Sequence, residues 1–157
     1  MKKSVLLLVV VFSMAFMLAA CGAQKNELDM GHDLFMKGDC AGAMPYLDDS
    51  IAQPDSIMDL AYACFLKGRC AEKAGDVTTA YEYLYASKVV AGYVVAHDTH
   101  VNLNTYGRSD FVQTKIPAML AKLAPDLGAE KVKAVTAKVD KALQAEYLKE
   151  VMEGGRH

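Results

Sequence analysis

The chain predicts an all-α fold of antiparallel helical hairpins, with about six helices following an apolar N-terminal run. Three observations predict it. Apolar residues recur at three- and four-residue steps, and no convincing alternating stretch marks a strand. Alanine is abundant, while 4 prolines and 11 scattered glycines in 157 residues leave long uninterrupted segments, a composition that favours helices throughout. Break-and-cap signals (Gly-Asp, Ser-x-x-Asp, Pro-Asp) divide the chain at helix-sized intervals.

The first segment lies outside this pattern. Lys2 and Lys3 precede the apolar run SVLLLVVVFSMAFMLAA, Ser4 to Ala20. Its 17 residues are short for a spanning helix, which needs roughly 20. A positive start, an apolar middle and small residues at the end form the pattern of a secretory signal. The run ends in Leu18-Ala19-Ala20-Cys21, which closely resembles the lipobox of bacterial lipoproteins. The resemblance implies a signal peptide at residues 1–20, lipidation at Cys21 on its sulfur and new amino terminus, and a lipidated tether at 21–26. Acyl chains suit the role physically, since each buried methylene contributes about 0.8 kcal/mol and two or more chains anchor stably. Gly22, where an Asp retains enteric-type lipoproteins at the inner membrane, resembles an outer-membrane address facing the periplasm.

From Cys21 onward the chain carries 15 basic and 19 acidic residues, a net charge of −4. Residues 22–107 hold 6 bases and 12 acids, and residues 108–157 hold 9 and 7. Neither block is the strong basic patch that nucleic acid requires, so no nucleic-acid partner is expected.

Helices are expected at 27–37, 40–52, 56–74, 77–96, 109–124 and 129–152, as one helical domain over 27–153. Gly38-Asp39 breaks the first pair, and Asp39 can cap the second helix. Gln53-Pro54-Asp55 ends that helix, and Ser56 with Asp59 reads as a capping box for the third. Gly75-Asp76 repeats the break before the fourth. HDTHVNLNTYGR, 97–108, reads as a polar loop, and Ala124-Pro125-Asp126 is expected to end the fifth helix. In the last helix Val132, Val135, Val139, Leu143 and Tyr147 form a core-covering stripe.

The two Gly-Asp breaks are related. Gly31 aligns with Gly68, Gly38-Asp39 with Gly75-Asp76, Ala43 with Ala80, Leu47 with Leu84, and Ser50 with Ser87. This pattern resembles the tetratricopeptide repeat, in which small residues let two antiparallel helices approach and a larger one fills the gap. The 37-residue spacing of the turns exceeds the family's usual ~34, and Cys40 and Val77 stand where an aromatic is expected. The resemblance covers residues 25–96 and implies two repeat-like hairpins over 27–96. The helices within 109–152 would then form a closing pair, because two repeats stack poorly alone. In that family the first helix of each repeat lines the ligand groove. Carried onto matching positions, the partner-binding residues would be His32, Phe35 and Met36, then Tyr62, Phe65, Arg69 and Lys73. That set suits an extended or helical peptide with an acidic group.

With Cys21 lipidated, Cys40, Cys64 and Cys70 remain, in a compartment that permits disulfides. Cys40 opens the second helix and Cys70 lies near the end of the antiparallel third, which favours a Cys40–Cys70 disulfide with Cys64 buried as a small hydrophobe. The alternative is three reduced, packed thiols.

No phosphate-cradling G-x-x-x-x-G-K, dinucleotide G-x-G-x-x-G, nucleophile-elbow G-x-S-x-G or haem C-x-x-C-H motif occurs. His97 and His100 form H-x-x-H around Asp98 with no evident third ligand. The grouped Asp48, Asp49, Asp55 and Asp59 read as caps and solvated side chains, not as matched carboxylates for acid–base chemistry. No catalytic residue, metal or cofactor is therefore expected. Address and architecture together resemble the small helical lipoproteins that escort or assemble envelope machines, such as pilotins and tetratricopeptide lipoproteins. The resemblance implies a non-enzymatic, lipid-anchored periplasmic protein-interaction module, an adaptor or assembly factor with a protein partner in the envelope. The alternative is a small-molecule or metal-binding envelope lipoprotein using the His97–His100 loop.

Overall fold

The computed structural model describes residues 26–97 and 110–154, all-α in architecture. The apolar run, Cys21 and His100 lie outside the described residues. Six α-helices follow in order: α1 (Glu27–Met36), α2 (Cys40–Ala52), α3 (Ile57–Ala74), α4 (Val77–His97), α5 (Ile116–Leu127) and α6 (Ala129–Gly154), with a π turn at Phe111–Lys115 leading into α5.

Side chains start the helices. The carboxamide oxygen of Asn26 accepts from the Asp29 amide at 2.8 Å, and Asp39 accepts from the Gly42 amide at 2.8 Å. Ser56 Oγ accepts from the Asp59 amide at 3.1 Å while donating to the Asp59 carboxylate at 2.7 Å. Asp76 accepts from the Thr79 amide at 3.0 Å. Each satisfies one of the four amides that a helix start leaves without a partner.

Several boundaries depart from expectation: α3 starts at Ile57 rather than 56, α4 ends at His97 rather than 96, α5 starts at Ile116 behind the π turn rather than at 109, and α6 ends at Gly154 rather than 152. The first helix stops at Met36, because Lys37 and Gly38 already belong to the turn. The fifth helix does not end before Pro125; it runs through it to Leu127. Pro125 removes only its own donor near the end of the helix, and one more turn buries Leu127 beside Leu123 and Leu120. The helix stops at Gly128, which has φ +79° and donates its amide to Ala124 O at 3.0 Å. The π turn lies just ahead of Pro117, whose ring crowds the preceding turn and cannot donate.

The first two hairpins, α1–α2 and α3–α4, use the same devices 37 residues apart. Gly38 and Gly75 take φ +83° and +79°, a left-handed conformation open to glycine at little steric cost. Ala43 and Ala80 are fully buried, as are Leu47 and Leu84, and Ser50 and Ser87 are buried beside them. Within each hairpin a glycine meets a leucine. A Cβ on Gly31 would lie 2.8 Å from Leu47 Cδ2, and one on Gly68 would lie 2.9 Å from Leu84 Cγ and 3.0 Å from the Leu84 backbone nitrogen. The buried Ser87 hydroxyl donates to Ala61 O at 2.7 Å, pinning α4 to α3.

The core runs through the stack in three clusters. Ala43, Leu47 and Leu66 join α1 and α2 to α3. Ala61, Val90 and Ala91 lie between α3 and α4, with Val112 and Leu143 packed on them. The largest joins Ala71, Ala80, Tyr81 and Leu84 to Ile116, Leu120, Leu123, Leu127 and Val135, so α5 and α6 close over α4. A disulfide joins Cys40 to Cys70 with Cα atoms 5.2 Å apart, closing a loop of sequence separation 30. In the chain-entropy model such a closure destabilises the unfolded state by about 3–4 kcal/mol.

The two glycines should respond unequally to alanine. At Gly31 the obstruction is the tip of a leucine side chain, which can move; at Gly68 it includes backbone at 3.0 and 3.2 Å. Alanine gains about 1 kcal/mol of helix propensity at either site. Overpacking costs ~1–3 kcal/mol, so after that gain Gly68→Ala should lose a net of up to ~2 kcal/mol and Gly31→Ala clearly less, read from urea midpoints at unchanged m-value. The Asp76 cap should be pH-dependent. The backbone amide of Thr79, then its hydroxyl, hold the Asp76 carboxyl below its usual range. Its contribution is therefore complete above the unfolded carboxyl pKa near ~3.9 and disappears as pH falls through the lower folded value. Asp76→Asn, which keeps the acceptor but not the titration, should flatten that part of the stability profile in acid-unfolding curves.

Candidate functional site

The face built by α1 and α3 differs from the rest of the surface. Among the described residues, the large apolar side chains that stand exposed are Met36, Met58 and Tyr62, at 69%, 53% and 37% of their full accessibility. All three lie on these two helices. On α3, Met58, Tyr62, Phe65, Arg69 and Glu72 follow at steps of four, three, four and three residues, which aligns them along one side of a helix.

Their contacts continue across the helices. The His32 ring on α1 sits 5.9 Å from the Tyr62 ring, tilted by 44°. Tyr62 in turn stacks on Phe65 at 6.3 Å with 14° between planes. Phe35 and Phe65 are half-buried and pack onto the Leu47–Leu66 cluster, so their rings form the floor of this face. Lys73 Nζ lies 4.6 Å from the centre of the Phe35 ring, within cation–π range. Burial raises the Tyr62 phenol above its ordinary pKa.

Arg69 faces toward α5. Its Nη1 donates to Met119 Sδ at 3.4 Å and lies 3.3 Å from Glu72 Oε2. Lys122 of α5 donates to the other Glu72 oxygen at 3.2 Å. Glu72 Oε2 is buried and takes no hydrogen bond; the adjacent guanidinium is its compensation. Two cations thus share one carboxylate where α3 meets α5, and Lys73 has no carboxylate within ion-pair distance among the described residues.

The structure therefore joins His32, Tyr62 and Phe65 in one series of ring contacts and places Lys73 on Phe35, with Phe35 and Phe65 packed on the same Leu47–Leu66 cluster, while Met36 stands exposed at the end of α1 and Arg69 reaches toward α5. Met58 belongs to this face and was absent from the expected set, although its spacing from Tyr62 and Phe65 carried the signal. Glu72 is legible only as a flank of that stripe. Met119 and Lys122 had no local signal, because their place depends on how α5 docks.

The other polar contacts hold helices together. Lys67 ion-pairs with Asp48 and donates to Tyr83 OH at 2.9 Å, joining α2, α3 and α4. Burial alone lowers the Lys67 pKa, but its bonds to Asp48 and Tyr83 outweigh this and hold it above the ordinary lysine value. Tyr81 stacks on Tyr85 at 6.4 Å, and Tyr85 OH donates to Asp140 of α6 at 3.1 Å. His97 ends α4, and its expected companion His100 is outside the described residues. Among the described residues no group of three or more His, Cys, Asp or Glu could hold a metal ion, and no helix is long and apolar enough to cross a membrane.

Cys64 is buried, and burial pushes its thiol up to about 12 despite the nearby Lys67 charge. The thiolate is the reactive form, so Cys64 should resist iodoacetamide in native protein at pH 8 and label fully after denaturation. Peptide mass mapping checks this, and native labelling at a rate near that of a free thiol would contradict it. Comparison of the chain with protein-family models, characterised proteins and solved structures returns no match, so the functional reading rests on the geometry above.

Proposed function

We propose that this chain is a lipid-anchored protein-interaction module of the bacterial envelope, an adaptor or assembly factor that presents the α1/α3 face to a protein partner. One observation carries the reading: among the residues whose side chains are described, the exposed large apolar ones, Met36, Met58 and Tyr62, all lie on α1 and α3. Exposing them costs solvation energy that a partner's apolar surface would recover, at roughly 25 cal/mol per Å². Beneath them, Phe35 and Phe65 are locked into the core, which limits the side-chain entropy lost on binding. The resemblance of the two hairpins to tetratricopeptide repeats supports the reading, since in that family the first helix of each repeat lines the ligand groove. The lipobox Leu18-Ala19-Ala20-Cys21 supplies the anchor, with an outer-membrane position facing the periplasm read from Gly22.

Two measurements test the reading. Cys21→Ala should abolish acylation and release the protein from the membrane fraction; unchanged processing and retention would refute the anchor. For the face, Met36→Ala with Tyr62→Ala removes exposed apolar surface and should leave the unfolding free energy from urea titration within about 0.5 kcal/mol of the parent. The same pair should reduce affinity capture of envelope partners by tenfold or more, as loss of central anchors does. Capture of the same partners at parental yield would remove the face from the mechanism.

A further inference from the structure

The α1/α3 face has a direction. Both helices run the same way: Asn26 Nδ2 donates to Asp55 at 3.2 Å at their starts, His32 meets Tyr62 midway, and Lys73 reaches Phe35 toward their ends. Residues 26–36 and 53–66 carry Glu27, Asp29, Asp33, Asp55 and Asp59 and no Lys or Arg. Lys37, Arg69, Lys73 and Lys122 gather toward the other end together with Asp39, Glu72 and Asp76, an excess of one positive charge (4 − 3) against the five carboxylates of the first end, where Asp55 and Asp59 also take local hydrogen bonds from Asn26 and Ser56. Met58, Tyr62 and Met36 follow one another from the acidic end to the basic one.

Chain length decides which end lies near the bilayer. Five residue steps separate Cys21 from Asn26, a reach of at most about 18 Å. The 18 residues of α3 are about 27 Å long. An inverted domain, basic end down, would hold Asn26 farther from the surface than this leash extends. The acidic end is therefore the membrane-proximal one.

We propose that the α1/α3 face, with its acidic end toward the bilayer, takes a segment of a membrane-embedded partner as it leaves the membrane. The segment's cationic part lies beside Asp55 and Asp59, its apolar part on Met58, Tyr62 and Met36, and its carboxylates at Lys37 and Lys73. This rests on the lipid anchor and on the binding role of the face. The short leash confines the face to a layer that any chain leaving the bilayer must cross, and the charge gradient favours one direction of docking.

Site-specific photo-crosslinking in the intact envelope tests this, with benzoylphenylalanine replacing Met58 or Met36 in the full-length, lipid-processed chain. Both positions should give adducts with the same integral membrane protein. The Met58 adduct should map nearer the membrane-spanning segment than the Met36 adduct. Lys37→Glu with Lys73→Glu should lower the adduct yield about tenfold, and Lys131→Glu on α6 should leave it unchanged. Reversed order, adducts with a soluble protein, with a second copy of this chain or with lipid, or no adduct at either site would overturn the inference. If those results come from protein that is acylated and membrane-held, the proposed docking alone fails. Recovery of the protein in the soluble fraction would overturn the anchor as well.

Discussion

Two close approaches set the spacing on which the rest of the molecule depends: Gly31 against Leu47, and Gly68 against Leu84. A helix that presents no Cβ lets its neighbour come in until a leucine fills the gap, and the leucine is then fully buried. Side chains in such interiors touch on all sides, so small changes of volume propagate. The spacing of α1 from α2 and of α3 from α4 is fixed in this way, and the buried Leu66 and the Cys40–Cys70 disulfide join one hairpin to the next. The relation of α1 to α3, and hence the shape of the face they share, follows from these contacts.

Polar groups refine this arrangement. The Lys67 group bridges three helices from a partly buried position, and its neighbours keep it charged. Glu72, placed between Arg69 and Lys122, connects α3 to α5 at the edge of the exposed face. Exposed pairs such as Lys138 with Glu82 at 2.6 Å contribute little, because water screens them and two long side chains must be ordered. Fold strength therefore lies in the glycine–leucine contacts and the disulfide.

The helical fold was legible from local chemistry. Asp39, Ser56 and Asp76 mark helix starts because a side-chain oxygen beside free amides does so in any context. Gly38 and Gly75 mark turns because their backbone conformation disfavours other residues. The end of α5 was misread because Pro125 is a local stop signal, whereas the burial of Leu127 is a tertiary gain that local reading does not contain. The same distinction applies to the candidate face. His32, Tyr62, Phe65 and Lys73 were named because the tetratricopeptide resemblance implies a groove on the first helix of each hairpin. Met119 and Lys122 were not, since they reach the face only through the packing of α5 on α4.

The burial pattern within the face bears on its role. A folding surplus of apolar residues would leave them scattered singly over the surface. Here Phe35 and Phe65 enter the core while Tyr62 stacks outward from Phe65 and leans on His32. The exposed ring is thus held in place by rings that the fold itself requires. Loss of Tyr62 would remove binding surface while leaving the floor intact, whereas loss of Phe65 would open the core cluster with Leu66 and Leu47. A binding face arranged in this way can vary its outer layer without changing the hairpins that carry it.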